Sequence, residues 1–132
     1  MYISKFTNHN NNGDNVNENL EVISHIYKDC DASISSLTTM LKDLKNKDNK
    51  IKETTQNILK GYERYLKESK NLLKKGNVEP EKMGLIPKMM AKMGVDREVK
   101  NDNSDASMAS MLIQGINPIF SGSTFPFFNK FL

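Results

Sequence analysis

Tryptophan is absent from this chain, and cysteine occurs once, at Cys30. A lone cysteine closes no intramolecular disulfide, and without a cysteine pair there is no thiolate zinc site. Histidine occurs only at His9 and His25. Di-iron bundles take a Glu-x-x-His motif from each of two helices together with two further glutamates, and no Glu-x-x-His occurs here. Neither GxxxxGK nor GxGxxG is present, so the common phosphate-cradling loops are missing. A membrane-spanning helix takes about 20 predominantly apolar residues. The longest uncharged stretch, 106–129, is about half polar, Gly or Pro. The opening MYISKFTNHN has no basic start followed by an apolar run. No secretory signal is expected, and a reduced, cytoplasmic setting follows.

What is there favours helix. Valine is scarce, whereas Leu, Met, Lys, Glu and Asn are abundant, and strands are usually built from β-branched and aromatic residues. The 132 residues fit one domain. An apolar share of 37% and a mean hydropathy of −0.60 leave part of the chain outside any core. Seven of the twelve residues in NHNNNGDNVNEN (8–19) are Asn. Asn competes with the backbone for hydrogen bonds and offers little to bury, so residues 1–19 are read as a disordered N-terminus.

From Leu20 the apolar residues fall at steps of three and four: Leu20, Ile23, Ile26, Tyr27, Cys30, Ile34, Leu37, Leu41 and Leu44. That spacing puts them on one stripe of a helix. The polar KNKDNK (45–50) reads as a turn. Ile51, Thr55, Ile58, Tyr62, Leu66 and Leu73 form a second stripe, ended by Gly76-Asn77 after Lys74 and Lys75. Two helices joined by a short polar turn make an antiparallel, coiled-coil-like hairpin.

KMGLIPKMMAKMG (82–94) holds four of the eight methionines. Pro87 is tolerated near a helix start, so a short helix over 87–93 is expected, stopped by Gly94. VDREVKNDNSD (95–105) reads as a loop. Ser104 is the expected N-cap of a last helix, Asp105–Gln114, with Met108, Met111 and Leu112 inward. Pro118, Gly122 and Pro126 break any regular element after Gly115. The fold class is therefore all-α, an antiparallel hairpin packed with two shorter helices. It is four-helix-bundle-like with a truncated last helix. The bundle spans 20–115, and 116–132 is an irregular Phe-rich tail.

Candidate sites are few. Met83, Met89, Met90 and Met93 have three readings. Packing into the core ranks first, since Met fills irregular gaps. An adaptable partner groove ranks second. A copper(I) site ranks last, because the sulfurs spread along a helix with no His or Cys nearby. Glu18, Glu21 and His25 are weak metal candidates whose ordinary role is a solvated face. Cys30 sits on the apolar stripe, where a thiol behaves as a small inert hydrophobe. Residues 42–75 hold eleven Lys or Arg against five Asp or Glu. That asymmetry admits nucleic acid, yet the interleaved acids and the lack of a recognition motif argue against a specific site. The tail residues Phe120, Phe125, Phe127 and Phe128 either fold back over the bundle or contact a partner. No catalytic constellation is found and no cofactor is expected. The function read from these residues is non-enzymatic contact with a protein partner, or self-association into a homo-oligomer. A metal or redox protein is the alternative, and nucleic-acid binding through 42–75 a second alternative.

YERYLKESKNLLKKGNVEP (62–80), KMMAKMGV (88–95) and DASMASMLIQG (105–115) resemble a group of small uncharacterised proteins of low-GC Gram-positive bacteria. Members look like ferritin-like four-helix bundles without the metal ligands. The resemblance covers about residues 20–115, on hydrophobic spacing around Asp105, Ser107, Met111 and Gly115. It implies a four-helix bundle and carries over no functional residues. The departure lies at Ile116-Asn117-Pro118, where the family's last helix continues and this one stops.

Overall fold

A computed structural model of the chain describes residues 12–114, with side chains from Asn17 onward. Among the described residues four helices follow one another: α1 (Asn12–Asp43), α2 (Ile51–Lys75), α3 (Leu85–Asn101) and α4 (Asp105–Ile113). No strand occurs among the described residues. α1 packs on both α2 and α3, and α4 packs on α2. The class is all-α with a short last helix, as the residue spacing predicts.

The hairpin is antiparallel because its far end closes on itself. Leu20, early in α1, lies against Gly76 just past α2, where a Cβ would stand 2.5 Å from a Leu20 methyl. That close approach is what glycine permits there. The next residue, Asn77, takes the left-handed conformation at φ 60°. Its N–H donates to the Lys74 carbonyl, and the Val78 N–H donates to Leu73 at 2.8 Å. This is a Schellman end, with Asn supplying the left-handed residue that Gly more often supplies. At the near end Lys52 Nζ donates to the carbonyls of Lys45 and Lys47, closing the turn between the helices.

The core is concentrated at that turn. Met40 and Leu44 from α1, Val95 and Val99 from α3, and Met108 and Met111 from α4 form one buried cluster, with Ile51 and Leu112 packed against it. α4 is fixed there by both of its first residues. Ser104 caps it, accepting from the Ser107 N–H at 3.2 Å. Asp105 accepts from the Lys50 and Ile51 N–H groups and from Asn49 Nδ2. Lys50, the residue before α2, makes no side-chain cap. A carboxylate from α4 therefore satisfies the open N-terminus of α2, where negative charge is favoured.

Three features differ from the reading of the sequence. α1 begins at Asn12, inside the segment assigned to disorder. α3 runs straight through Gly94 to Asn101, so the expected loop over 95–105 is mostly helix. A glycine inside a helix costs only about 1 kcal/mol, and burial of Val95 and Val99 in the following two turns offsets it. The third difference is the rotation of α3. Its core-facing residues are Ala91, Val95 and Val99 at steps of four. Met89, Met90 and Met93, expected first as core, are 51–57% exposed. The Met-rich pattern is genuine helical periodicity, but it marks the outward face.

Candidate functional site

The rotation of α3 is set at its start. Asp31 of α1 is buried and accepts the Met83 backbone N–H at 3.0 Å. The same carboxylate oxygen pairs with Lys88 Nζ at 2.8 Å. Lys28 adds an exposed ion pair with Glu81 at 3.6 Å. Residues 81–88 are thereby tied to α1 by their polar groups, and Met83 itself is half-buried. With Lys88 turned inward, the helical period turns Ile86, Met89, Met90 and Met93 outward, and Leu85 is exposed as the first residue of α3. Leu85 and Ile86 are 74% and 71% exposed. Five large apolar side chains thus line more than two turns of one helix, in water. Scattered exposed hydrophobes are ordinary, but a contiguous set marks a contact surface.

One turn beyond Met93 the same line of α3 becomes basic. Arg97 and Lys100 stand at i+4 and i+7 from it, the positions that share a helix face, and both are exposed. An open groove of about 360 Å³ lies there, lined by Met93, Asp96, Arg97 and Lys100. Reading the sequence misses Arg97 and Lys100 because it ends the helix at Gly94. The signal was present as the continued i+4, i+7 spacing.

On the other side of α3 a cleft of about 430 Å³ separates it from α1. Ser35, Thr38, Thr39, Lys42 and Asp43 line one wall, and Lys92 and Asp96 the other. Burial, then the hydrogen bond and the negative charge of Asp96, raise the Asp43 carboxyl from 3.8 to about 6, with Lys100 and Lys42 opposing. Asp43 therefore retains its proton more readily than a free carboxyl does.

Between α1 and α2 lies a buried polar set. Burial pushes Asp29 up to about 6, with His25 opposing, and pushes the Cys30 thiol to about 11, with Asp29 adding to the rise. Burial likewise raises the Tyr62 phenol, against the neighbouring Ser33 hydroxyl. A thiol held protonated is a poor nucleophile, which agrees with Cys30 as packing.

Of the weak metal candidates, Glu18, Glu21 and His25 all lie exposed on α1. Among the described residues no group of three or more His, Cys, Asp or Glu comes together in a metal-holding arrangement. On α2, exposed Glu53, Glu63 and Glu68 interleave with Lys60, Arg64 and Lys67, so the positive field of 42–75 is locally broken. Phe120, Phe125, Phe127 and Phe128 lie outside the described residues. Among the described residues no helix is long and apolar enough to cross a membrane. No family model, curated protein or solved structure matches the chain.

Proposed function

We propose that this chain is a non-enzymatic helical-bundle protein that acts by binding another protein through the outward face of α3. One observation carries the reading: α3 is apolar on two opposite faces. Ala91, Val95 and Val99 are buried in the bundle, and Leu85, Ile86, Met89, Met90 and Met93 are exposed. A surface helix normally has one apolar stripe, and a helix apolar all round belongs inside something. The bundle occupies one side of α3, which leaves the other for a partner. Methionine suits that role because its unbranched thioether re-packs against varied surfaces.

Retention from native lysate tests this. The wild-type chain is compared with a Met89→Glu/Met93→Glu variant, and sedimentation is run over the micromolar range. Proteins held by the wild type and lost by the variant support the reading. Identical retained sets, with equal sedimentation of the two chains, remove it.

A further inference from the structure

We infer that the partner is an amphipathic helix whose apolar stripe ends in acidic side chains, seated along α3 with its carboxylates on Arg97 and Lys100. The inference rests on the protein-contact reading above and names the chemistry of the partner.

The outward face of α3 has a direction. It is apolar from Leu85 to Met93 and basic from Arg97 to Lys100. Exposed Lys82 precedes the stripe and exposed Lys92 flanks it. The helix's own acids answer these cations only in part. Asp96 lines the same groove but is half-buried beside Asp43, and Glu98 is half-buried. A partner that covers the stripe therefore meets two cations against one carboxylate at its end. The groove of about 360 Å³ beside Met93, Arg97 and Lys100 has room for side chains there. The guanidinium of Arg97 presents a planar fork that matches a carboxylate in two parallel hydrogen bonds.

The same charges disfavour the other occupants. A second copy laid parallel sets each cation on its twin, and one laid antiparallel brings Arg97 and Lys100 to a mixed segment of Glu79, Glu81 and Lys82, in which Glu81 already pairs with Lys28. Like charges opposed across an interface are a specificity penalty. Residues 116–132 of this chain are Phe-rich but contain no Asp or Glu, so they offer no side-chain carboxylate to Arg97 and Lys100. An anionic bilayer would answer the cations. Interfacial helices, however, carry one strongly polar face and aromatic anchors. The face of α3 has no aromatic residue, and its opposite side is packed in the bundle.

The test reads methionine oxidation, because the face is its own probe. The full chain is treated with dilute peroxide, and sulfoxide formation at Met89, Met90 and Met93 is followed by peptide mass. Met40 and Met108, both fully buried, serve as internal references. Two synthetic helices of about 18 residues, roughly 27 Å long, are added in turn at low salt. Both carry one leucine stripe, flanked by Glu in the first and Lys in the second. The Glu helix is expected to slow oxidation of the three exposed methionines several-fold, and the Lys helix to slow it far less. The variant Arg97→Glu/Lys100→Glu is expected to reverse that order.

Equal slowing by both helices keeps the face as a docking surface and overturns the acidic partner. No slowing by either overturns both readings. Slow oxidation in the free chain at every concentration assigns the face to the chain's own tail, and slow oxidation only at high concentration assigns it to a second copy. Protection by phosphatidylglycerol vesicles without protection by the Glu helix assigns it to a membrane. Each of these three outcomes also overturns the acidic partner.

Discussion

The inner and outer faces of α3 are both apolar and have opposite fates. Inside, Ala91, Val95 and Val99 are 0–5% exposed, and outside, Leu85, Ile86, Met89, Met90 and Met93 carry exposures of 51–74%. Hydrophobicity alone would not choose between them, since the outer side chains are larger and would bury more area. Shape and anchoring choose. Ala32 and Ser36, one and five residues on from Asp31 in α1, are both buried, and short side chains let helix axes approach where they face a neighbour. Asp31 then pins Lys88 and the Met83 N–H on that side. The larger set is left exposed.

The sharpest way to break this contrast is to charge each face. Val95→Asp places a carboxylate where the side chain is fully buried, and unpaired burial of that kind should cost about 4 kcal/mol or more and unfold much of the chain. Val95→Ala should cost about 2 kcal/mol from lost transfer and the residual cavity. On the other face Met93→Ala should change stability by no more than about 0.5 kcal/mol, because an exposed side chain loses little and Ala is the better helix former. Urea midpoints of the three variants measure the ordering. Comparable losses from Val95→Ala and Met93→Ala would erase the distinction between the faces.

A smaller effect tests the anchor. Breaking a fully buried ion pair by removing one partner costs about 3–5 kcal/mol. The Lys88 side chain is 22% exposed and Asp31 keeps the Met83 N–H, so Lys88→Met should cost about 2 kcal/mol after discounting for solvent. Asp31→Asn should cost less than Asp31→Ala, since the amide oxygen still accepts that N–H. Chemical denaturation gives both numbers. Equal midpoints for Asp31→Asn and Asp31→Ala would mean that the Met83 hydrogen bond does not hold α3.

These residues also show what the sequence made readable. The hairpin was legible because Tyr27, Leu37, Leu44 and Leu73 lie on the apolar stripes set by helical spacing, and all four are buried. The ends were legible where a local signal exists, at Ser104 and at Gly76-Asn77. The second packing face of α1 was not, because it is made of Asp31, Ala32, Ser36 and Met40, which carry no apolar period. Without that face nothing in the sequence says which side of α3 turns inward, and the methionine stripe, the stronger pattern, was assigned to the core. Gly94 misled for a related reason. Its local cost is small beside the tertiary burial of Val95 and Val99, and only the fold reveals that burial. The outward site was half legible: its methionines were singled out, while Arg97 and Lys100 disappeared into an expected loop.

The edge between the two faces supplies the smallest effect. Asp43 and Asp96 meet there, and the Asp43 carboxyl is raised from 3.8 to about 6. A carboxyl with a raised value in the folded chain holds its proton more tightly than in the unfolded chain. Between about pH 4 and 6 the folded state then binds more protons, so stability falls as pH rises through that window and stays at the lower level above it. Asp29, also raised to about 6, slopes the same way. Asp105 and Asp102 slope oppositely. Hydrogen bonds hold both below the ordinary carboxylate value, so their contribution is complete above it and is lost as pH falls further. Asp43→Asn should therefore melt at the same temperature as the wild type near pH 4 and at a higher one near pH 7, with the gap opening between them. Asp96→Asn should show a smaller gap, because burial, the larger cause of the rise, stays with Asp43. A gap for Asp43→Asn that is constant from pH 4 to 8 would mean that the Asp43 carboxyl is not raised in the α1–α3 cleft.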